Sequence, residues 1–130
     1  MADAHRNFSY STVATAPAPA SSGTSLVVAI GDGVRFPPAP FNATIWPTAS
    51  QPLATNAEIV RVTAIATDTL TIARAQEGSL ARTVVAGDQI AATITTEWMN
   101  RIEGDLTDND GIFNIYGEIV SPVYDDGVQL

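Results

Sequence analysis

Two adjacent segments of alternating residues constrain the fold of this chain more than any other feature. Residues 57–65 read AEIVRVTAI and residues 69–73 read TLTIA, and a polar turn at about Asp68 separates them. Successive side chains of a strand point to opposite faces, so each segment predicts a strand with one buried face, and the pair predicts a β-hairpin. In the second segment Leu70 and Ile72 point inward. The first segment has one face with Glu58, Val60, Val62 and Ala64 and another with Ala57, Ile59, Arg61, Thr63 and Ile65.

The rest of the central region carries further strand signals separated by glycine and proline. Short apolar or alternating runs occur at residues 25–30 (SLVVAI), 41–46 (FNATIW) and 88–95 (DQIAATIT). Gly31 and Gly33 mark a turn, and prolines disfavour regular ladder pairing over most of residues 34–47. Several short strands at this spacing predict a mainly β fold, either a small antiparallel β-barrel or a sandwich.

One short helix is expected after the last strand. Thr95 or Thr96 suits its N-cap, and Gly104 suits the position that follows its end. The residues that share one face of this helix are Trp98, Met99 and Ile102. Two helical turns are too short to be stable alone, so we expect this helix to pack on the domain or on a partner.

These signals divide the chain into three regions. Residues 1–24 include the Pro/Ala/Ser-rich run TAPAPASSGT and predict an extended N-terminal arm. Residues 25–104 predict the β-domain that ends in the short helix. Residues 105–130 predict an acidic C-terminal extension with a strand at IFNIYGEIV. Both faces of that strand are partly apolar, which is typical of a strand covered on two sides, and we expect another chain to supply one cover.

The charge of the chain disfavours two classes of partner. The formal net charge is −8, and the six basic residues are all arginine. Nucleic acids and anionic membranes both bind basic surfaces, so we expect neither as a partner. Residues 97–130 hold eight acids against Arg101 alone. Two alternatives stay open for this acidic third: a solvated face, or a surface that docks on a basic partner.

Few residues of this chain suit catalysis or cofactor binding. Cysteine is absent and His5 is the sole histidine, so we expect neither a zinc site nor a Ser–His–Asp triad, and we expect a non-enzymatic protein without a cofactor. The EF-hand spacing fits Asp108 and Asp110 but fails at Leu106 and Gly117. A looser calcium site formed by Asp105, Asp108 and Asp110 stays as the alternative to an Asx-rich turn. The N-terminus lacks the apolar core of a signal peptide, and the longest apolar run, Leu26–Ile30, is too short to span a membrane.

A polar, glycine-containing turn follows the second hairpin strand at residues 74–82 (RAQEGSLAR). Its polar residues and its glycine are Arg74, Gln76, Glu77, Gly78 and Arg82. One interpretation is a polar functional site. The other is a structural turn in which Gly78 takes a positive φ angle and one of the two arginines pairs with Glu77. The residue types favour the structural turn.

The hairpin and this turn belong to a longer pattern. It consists of an E-x-V-x-V-T strand, a D-T-L-T strand, the block R-x-Q-E-G-[ST]-x-A-R, a G-D-x-I/V strand and a helix with a W-x-N-R-I type end. The corresponding segments are Glu58–Thr63, Asp68–Thr71, Arg74–Arg82, Gly87–Ile90 and Trp98–Ile102. This pattern resembles a module of tailed-bacteriophage virion proteins, and Ser22–Pro47 is similar to the start of such modules. The resemblance covers roughly residues 8–103, and the R-x-Q-E-G block is fairly specific.

The resemblance implies a structural role in a virion. In that family the module often heads longer tail-fibre or baseplate proteins, and it also occurs in small virion proteins. About 27 residues follow the helix here, which is too few for a receptor-binding shaft. We therefore expect a virion protein, assembled in the host cytoplasm, that attaches fibres or baseplate parts to the tail, with head decoration as the alternative. By the same analogy we expect other virion proteins as partners and a homo-oligomer, with a trimer as the first choice.

Aromatic and apolar side chains near the two ends of the chain are the expected interface with neighbouring subunits. They are Phe8, Tyr10, Trp98, Phe113, Ile115, Tyr116 and Tyr124. For Phe8 and Tyr10 the alternative stays open that they fold back on the domain. Apolar burial would supply the binding free energy, and strand addition would set the register. A less favoured function of another class is a carbohydrate-binding module, for which Trp46 is the candidate sugar platform.

Overall fold

The computed structural model describes residues 3–97, 99 and 100, and residues 3–95 form one compact unit. This unit is mainly β, and its six strands close into an antiparallel barrel, which decides between the predicted barrel and the predicted sandwich. The strands are β1 (Tyr10–Thr15), β2 (Ser25–Val28), β3 (Phe41–Trp46), β4 (Glu58–Ala66), β5 (Thr69–Ala73) and β6 (Gln89–Ala92).

The strand order around the barrel is β1-β2-β5-β4-β3-β6, and β6 pairs back onto β1. Because every neighbouring pair is antiparallel, the connections lie at two ends of the barrel. The end that we call the lower end carries residues 3–9, 29–40, 67–68 and 93–95. The upper end carries residues 16–24, 47–57 and 74–88.

Alternation along the strands fills the barrel interior with apolar side chains. The buried apolar residues are Val13, Leu26, Val28, Phe36, Phe41, Ala43, Ile45, Val60, Val62, Leu70, Ile72, Val84 and Ile90. Burying each of the larger side chains contributes roughly 1.5–3 kcal/mol to the free energy of unfolding. The inward face predicted for TLTIA is confirmed by this set, and Phe41, Ala43 and Ile45 of FNATIW share the inward face of β3.

The prediction that Ala64 shares one face of β4 with Glu58, Val60 and Val62 is wrong. The side chain of Ala64 is exposed, although Val60 and Val62 of the same strand are buried. β4 pairs with β5 through Val62 and Ile72 and then through Ala64 and Thr71, so the register shifts between the two pairs. A β-bulge of this kind adds one residue to one strand and reverses the faces beyond it, which turns Ala64 outward.

A 3₁₀ turn at Asp32–Arg35 closes the lower end against the β4–β5 hairpin. The carboxylate of Asp68 accepts hydrogen bonds from the backbone N–H groups of Gly31 (3.0 Å) and Gly33 (2.9 Å), and these bonds lower the pKa of Asp68. A Cβ atom on Gly33 would lie 1.7 Å from the carbonyl oxygen of Thr67. This approach therefore requires a residue without a side chain.

The prediction of an unpacked N-terminal arm over residues 1–24 is wrong for β1, which pairs with both β2 and β6. The inward positions of β1 are Ser11 and Val13, so the apolar alternation that marks a strand is interrupted. The Ser11 hydroxyl donates to Oδ2 of Asp32 at 2.7 Å, which compensates for its burial. This strand is hard to recognise because a serine at an inward position is satisfied by a residue from another part of the chain.

Residues 96, 97, 99 and 100 are helical, where the sequence predicts the short helix. The predicted end of that helix at Gly104 and the predicted C-terminal extension at residues 105–130 lie outside the described residues. No helix in the described part of the chain combines the length and the apolar character that a membrane-spanning helix needs.

Candidate functional site

The carboxylate of Glu58 lies at the centre of a buried polar network at the upper end. Glu58 begins β4 on its inward face and is fully buried. Its two oxygens accept paired hydrogen bonds from Nε and Nη2 of Arg74, each at 2.8 Å. The backbone N–H groups of Ala75 (2.7 Å) and Arg82 (3.0 Å) donate to the same two oxygens. These four hydrogen bonds replace the water that the carboxylate loses on burial.

The guanidinium of Arg74 also binds three backbone carbonyls at the upper end. Its Nη1 donates to the carbonyl oxygen of Gly23 at 2.9 Å, and both Nη atoms lie 3.3 Å from that of Ala20. Nη2 donates to the carbonyl oxygen of Arg82 at 2.8 Å. One side chain therefore joins the β1–β2 connection and the segment after β5 to the start of β4. Only the five-donor, planar head group of an arginine supplies this set of bonds.

A second ion pair links Arg82 to Asp88 in the segment between β5 and β6. Nη2 and Nε of Arg82 lie 2.8 and 3.2 Å from Oδ2 of Asp88. Nη1 of Arg82 donates to the carbonyl oxygen of Asn56 at 2.8 Å, and Oδ2 of Asp88 also accepts the N–H of Val85 at 3.0 Å. The contacts of both ion pairs hold connections of the upper end together, which indicates a structural use of the two arginines.

The network keeps Glu58 ionised. Burial raises the pKa of this carboxyl, but the hydrogen bonds from Arg74, from the N–H groups of Arg82 and Ala75, and the charge of Arg74 together outweigh it, so the pKa lies below its ordinary value. The carboxylate is therefore negative at neutral pH. A group with a lowered pKa is well suited to hold an arginine and poorly suited to act as a general acid.

The turn at residues 74–82 differs from the prediction in its ion pairs. The two arginines form salt bridges with acids from β4 and from the residue before β6, so the predicted pairing with Glu77 is wrong. Glu77 instead accepts a hydrogen bond from Nδ2 of Asn42 at 2.6 Å. The carboxylate of Glu77 thus lies over the outer surface of β3, apart from the buried network.

The backbone of this turn passes through the left-handed region three times. Gly78 has a φ of 77°, the positive φ that the sequence predicts, and Ala75 and Glu77 have φ angles of 52° and 54°. Each non-glycine residue held in this region costs of order 1–3 kcal/mol, so the surrounding contacts have to enforce it. One such contact is the hydrogen bond from Nε2 of Gln76 to the carbonyl oxygen of Arg74, at 3.0 Å.

The turn forms one side of an open groove of about 600 Å³ on the outer surface of the barrel. The lining residues are Thr44 and Ile59 from β3 and β4, Pro52, Leu53, Ala54 and Ala57 from the β3–β4 connection, and Glu77, Gly78, Ser79 and Leu80 from the turn. Leu53 is 55% exposed and Leu80 is 79% exposed. A concave site of this volume with a mainly apolar lining is typical of ligand and peptide sites. We refer to it below as the groove.

Four large apolar side chains are exposed at the lower end, and we call them the lower rim. They are Phe8 (90% exposed), Ile30 (95%), Val34 (73%) and Ile94 (64%). Hydrogen bonds hold the segments that carry them: Nη1 of Arg6 donates to the carbonyl oxygen of Val34, and the Ser9 hydroxyl donates to that of Arg35 at 2.9 Å. The carbonyl oxygen of Ser9 accepts the N–H of Ala92 at 2.9 Å. Grouped exposed apolar side chains are typical of protein-binding surfaces.

The predicted interface residues lie in different places. Phe8 belongs to the lower rim. Tyr10 packs on the outer face of the barrel, with its ring centroid 6.4 Å from that of Trp46 and its hydroxyl 3.0 Å from Oε1 of Gln89, to which it donates. The remaining ones lie outside the described residues: the side chain of Trp98 and residues Phe113, Ile115, Tyr116 and Tyr124.

The described residues bring no metal-binding group together. Among residues 3–97, 99 and 100, no set of three or more His, Cys, Asp or Glu side chains is arranged to hold a metal ion. The alternative calcium site at Asp105, Asp108 and Asp110 falls outside these residues, so it stays a hypothesis from the sequence.

Sequence reasoning does not identify Glu58 and Asp88 as the partners of the two arginines. A signal exists for Glu58, because it shares an inward face with Val60 and Val62, and a carboxylate at an inward position needs a buried cation or donor. Asp88 has no comparable signal, since an aspartate beside a glycine before a strand is typical of a turn.

Comparison with known proteins leaves the geometry and the sequence pattern as the basis for a function. No model of a known protein family and no curated protein sequence matches this chain. The groove, the lower rim and the buried network are therefore the observations from which a function has to be argued.

Proposed function

We propose that this chain is a non-enzymatic structural component of a tailed-phage virion that attaches fibre or baseplate parts to the tail. The resemblance of Glu58–Arg82 and of the segments beside it to a virion module gives the setting. The structural observation that carries the proposal is the lower rim, four exposed apolar side chains at one end of a closed barrel. An attachment protein needs a stable body and an exposed binding surface, and the barrel and the rim supply these.

The most specific part of the resemblance, Arg74–Arg82, supports this proposal through its use in the fold. Its two arginines bind buried carboxylates and backbone carbonyls, and its turn forms one side of the groove. A catalytic site instead needs a nucleophile, acid or base beside an open position for the reacting atom. This block holds the connections of the upper end together, and that structural use fits a non-enzymatic protein better than an enzyme.

The lower rim has the chemistry of an assembly surface. Burying a large apolar side chain contributes roughly 1.5–3 kcal/mol, so docking of several rim side chains offsets a substantial part of the entropy lost on association. The partners that we propose are other virion proteins and further copies of this chain in a symmetric oligomer, with a trimer by family analogy.

The first experiment is electron microscopy of purified particles with a label on this protein, together with mass spectrometry that counts its copies. We expect the label at the tail at low copy number. A label over the head at high copy number would establish the alternative, a decoration protein that stabilises the capsid. Particles without the protein would refute both.

A variant tests the role of the rim in assembly. We expect the double variant Phe8→Ser/Val34→Ser to fold and to enter particles at a much lower level than the wild type. Val85→Ser is the matched control, because Val85 is 50% exposed at the opposite end. Normal incorporation of the double variant would show that the rim is not an attachment surface.

A carbohydrate-binding function is the second candidate, and the Tyr10–Trp46 ring pair favours it. The two rings lie tilted at 51° on the outer surface, and Tyr10 is 39% exposed. Aromatic rings at a surface offer an apolar face with a polar edge, which suits the faces and hydroxyls of sugars. This function requires saturable glycan binding by the isolated protein, abolished by Trp46→Ala and retained by Leu53→Ala. A glycan array without binding would exclude it.

A further inference from the structure

The exposed formal charge of the barrel is positive and lies at the lower rim. Within residues 3–95, the exposed side chains that carry a formal charge at pH 7 are those of Arg6 and Arg35. Both are beside Val34 of the rim, because Nη1 of Arg6 donates to its carbonyl oxygen and Arg35 follows it in the chain. The other arginines of residues 3–95 form ion pairs in which their side chains are no more than 24% exposed. The rim thus combines apolar side chains with two exposed guanidinium groups.

The acids of the lower end are occupied by contacts within the barrel. Asp32 accepts the Ser11 hydroxyl at 2.7 Å and lies 3.2 Å from Nε of Arg35, and its side chain is 19% exposed. Asp68 accepts two backbone N–H groups at the 3₁₀ turn. No described residue binds either Nη group of Arg35, whose side chain is 55% exposed. Arg35 therefore keeps four N–H donors with which to bind a second carboxylate.

The complementary chemistry, both acidic and apolar, is present in the C-terminal extension of this chain. Residues 105–130 contain no basic residue, and they include the run IFNIYGEIV with apolar side chains on both faces. The acids of the extension are Asp105, Asp108, Asp110, Glu118, Asp125 and Asp126. Opposite charges steer two surfaces together and fix their register, and apolar side chains supply the binding free energy. Glu118 lies within the apolar run, so it arrives together with the apolar side chains.

We propose that the lower rim binds the C-terminal extension of a second copy of this chain. The apolar side chains of IFNIYGEIV pack on Phe8 and Val34, and the carboxylate of Glu118 binds the free donors of Arg35. This proposal rests on the proposed virion role and deepens it, because it names the segment that occupies the rim. Each copy offers one rim and one extension, so the contact is heterologous and closes into a ring such as the trimer.

The test mixes two variants of the full-length chain in sedimentation equilibrium. Phe8→Ser/Val34→Ser alters the rim and keeps the extension, and Phe113→Ser/Ile115→Ser alters the extension and keeps the rim. We expect the wild type to form oligomers and each variant alone to be monomeric. An equal mixture should form a 1:1 dimer, because the intact rim of one variant meets the intact extension of the other.

Two results of this experiment would overturn the proposal. A mixture that stays monomeric while the wild type associates would show that the contact does not join a rim to an extension. A wild type that is monomeric at every concentration would show that the occupant of the rim is not a second copy, which leaves the extension of the same chain or a different protein.

The ion pair has a separate test in the same measurement. Arg35→Glu should weaken the association at least about tenfold, because it places like charges together, and Glu118→Arg in the same chain should restore it. Ala86→Glu is the control, since it adds a negative charge at an exposed residue of the upper end and should leave the association unchanged. Equal weakening by Arg35→Glu and Ala86→Glu, or no restoration by Glu118→Arg, would contradict the proposed ion pair.

The outcomes distinguish this proposal from the virion role. If the protein is present in particles but the two variants do not form a dimer, the rim does not bind the extension and the virion role stands. If the two variants form a dimer but the protein is absent from particles, the virion role fails and the contact between rim and extension stands.

Discussion

The two ends of the barrel are closed by different kinds of contact. At the upper end, the charged side chains of Arg74 and Arg82 bind buried acids and backbone carbonyls. At the lower end, a 3₁₀ turn lies directly against the hairpin backbone at Gly33, and the carboxylate of Asp68 binds two N–H groups of that turn. One closure depends on long polar side chains, and the other depends on the absence of a side chain.

The difference also determines what each end presents to solvent. The upper end turns its arginines inward, and the connections that they hold form the groove with Leu53 and Leu80. The backbone of the lower end is held by the contacts of Gly33 and Asp68, and the apolar side chains of the rim are exposed to solvent. A small barrel without lysine or cysteine thus closes its two ends by contacts between residues distant in the chain, and apolar side chains stay exposed at both ends.

The largest expected effect on stability comes from removing the buried ion pair of Arg74 and Glu58 at the upper end. Arg74→Met leaves the carboxylate of Glu58 buried without its cation, and loss of one partner of a buried pair costs roughly 3–5 kcal/mol. The matched control is Arg35→Met, because Arg35 is 55% exposed in its pair with Asp32, and such a pair is worth about 0–1 kcal/mol. Urea unfolding measures both. Equal losses in the two variants would contradict the comparison.

The second prediction concerns the close approach at the lower end. Gly33→Ala places a Cβ atom against the Thr67 carbonyl and should destabilise by about 3 kcal/mol or more, as strong overpacking does. Gly31→Ala is the control, since its Cβ would meet open space and only its φ of 85° is unfavourable, at about 1–2 kcal/mol. Thermal and urea unfolding measure the loss of stability in the two variants. A Gly33→Ala variant no weaker than Gly31→Ala would show that the approach is not tight.

The third prediction is a loss of stability in acid that is shared by both ends. The pKa values of Glu58 and Asp68 are lowered in the folded state, so their contributions are present above the ordinary carboxyl pKa and are lost as pH falls through the folded-state value. Urea midpoints measured from neutral pH to about 3 should fall less steeply in Glu58→Gln and in Asp68→Asn than in the wild type. If the urea midpoint fell equally steeply with pH in all three proteins, the ionised carboxylates of Glu58 and Asp68 would not stabilise either end.

The smallest effect is expected at the rim, which lies outside the barrel core. Phe8→Ser should change the free energy of unfolding by no more than about 0.5 kcal/mol, because the side chain is 90% exposed. The same variant should reduce self-association in sedimentation experiments if the rim binds further copies. A substantial loss of stability in dilute protein would mean that Phe8 serves the fold.

The strands were predictable where one face is continuously apolar. FNATIW and TLTIA match β3 and β5 because their alternating apolar residues all reach the core. β1 was not predictable, because Ser11 interrupts its apolar face and is satisfied by Asp32. The reversed face of Ala64 depends on a bulge, and a bulge is set by pairing with another strand rather than by the residues of β4 alone.

The candidate site was predictable only in part. The sequence predicted a structural turn with a positive φ at Gly78, but the predicted pairing of either Arg74 or Arg82 with Glu77, the nearest acid along the chain, was wrong. The observed partner of Arg74 is Glu58, which lies 16 residues away and is brought beside it by the antiparallel pairing of β4 and β5. The groove joins that turn to the β3–β4 connection, and no local pattern predicts that two connections meet across a strand pair.

The guanidinium of Arg74 has a mechanical consequence. It binds groups between 8 and 54 residues away in the chain, and these belong to three separate connections or strands. A pull on the turn at residues 74–82 reaches β4 through the Ser79 hydroxyl and the β1–β2 connection through this one head group. The force is thus shared by several hydrogen bonds that have to break together. We therefore expect the connections of the upper end to separate in one step and not one after another.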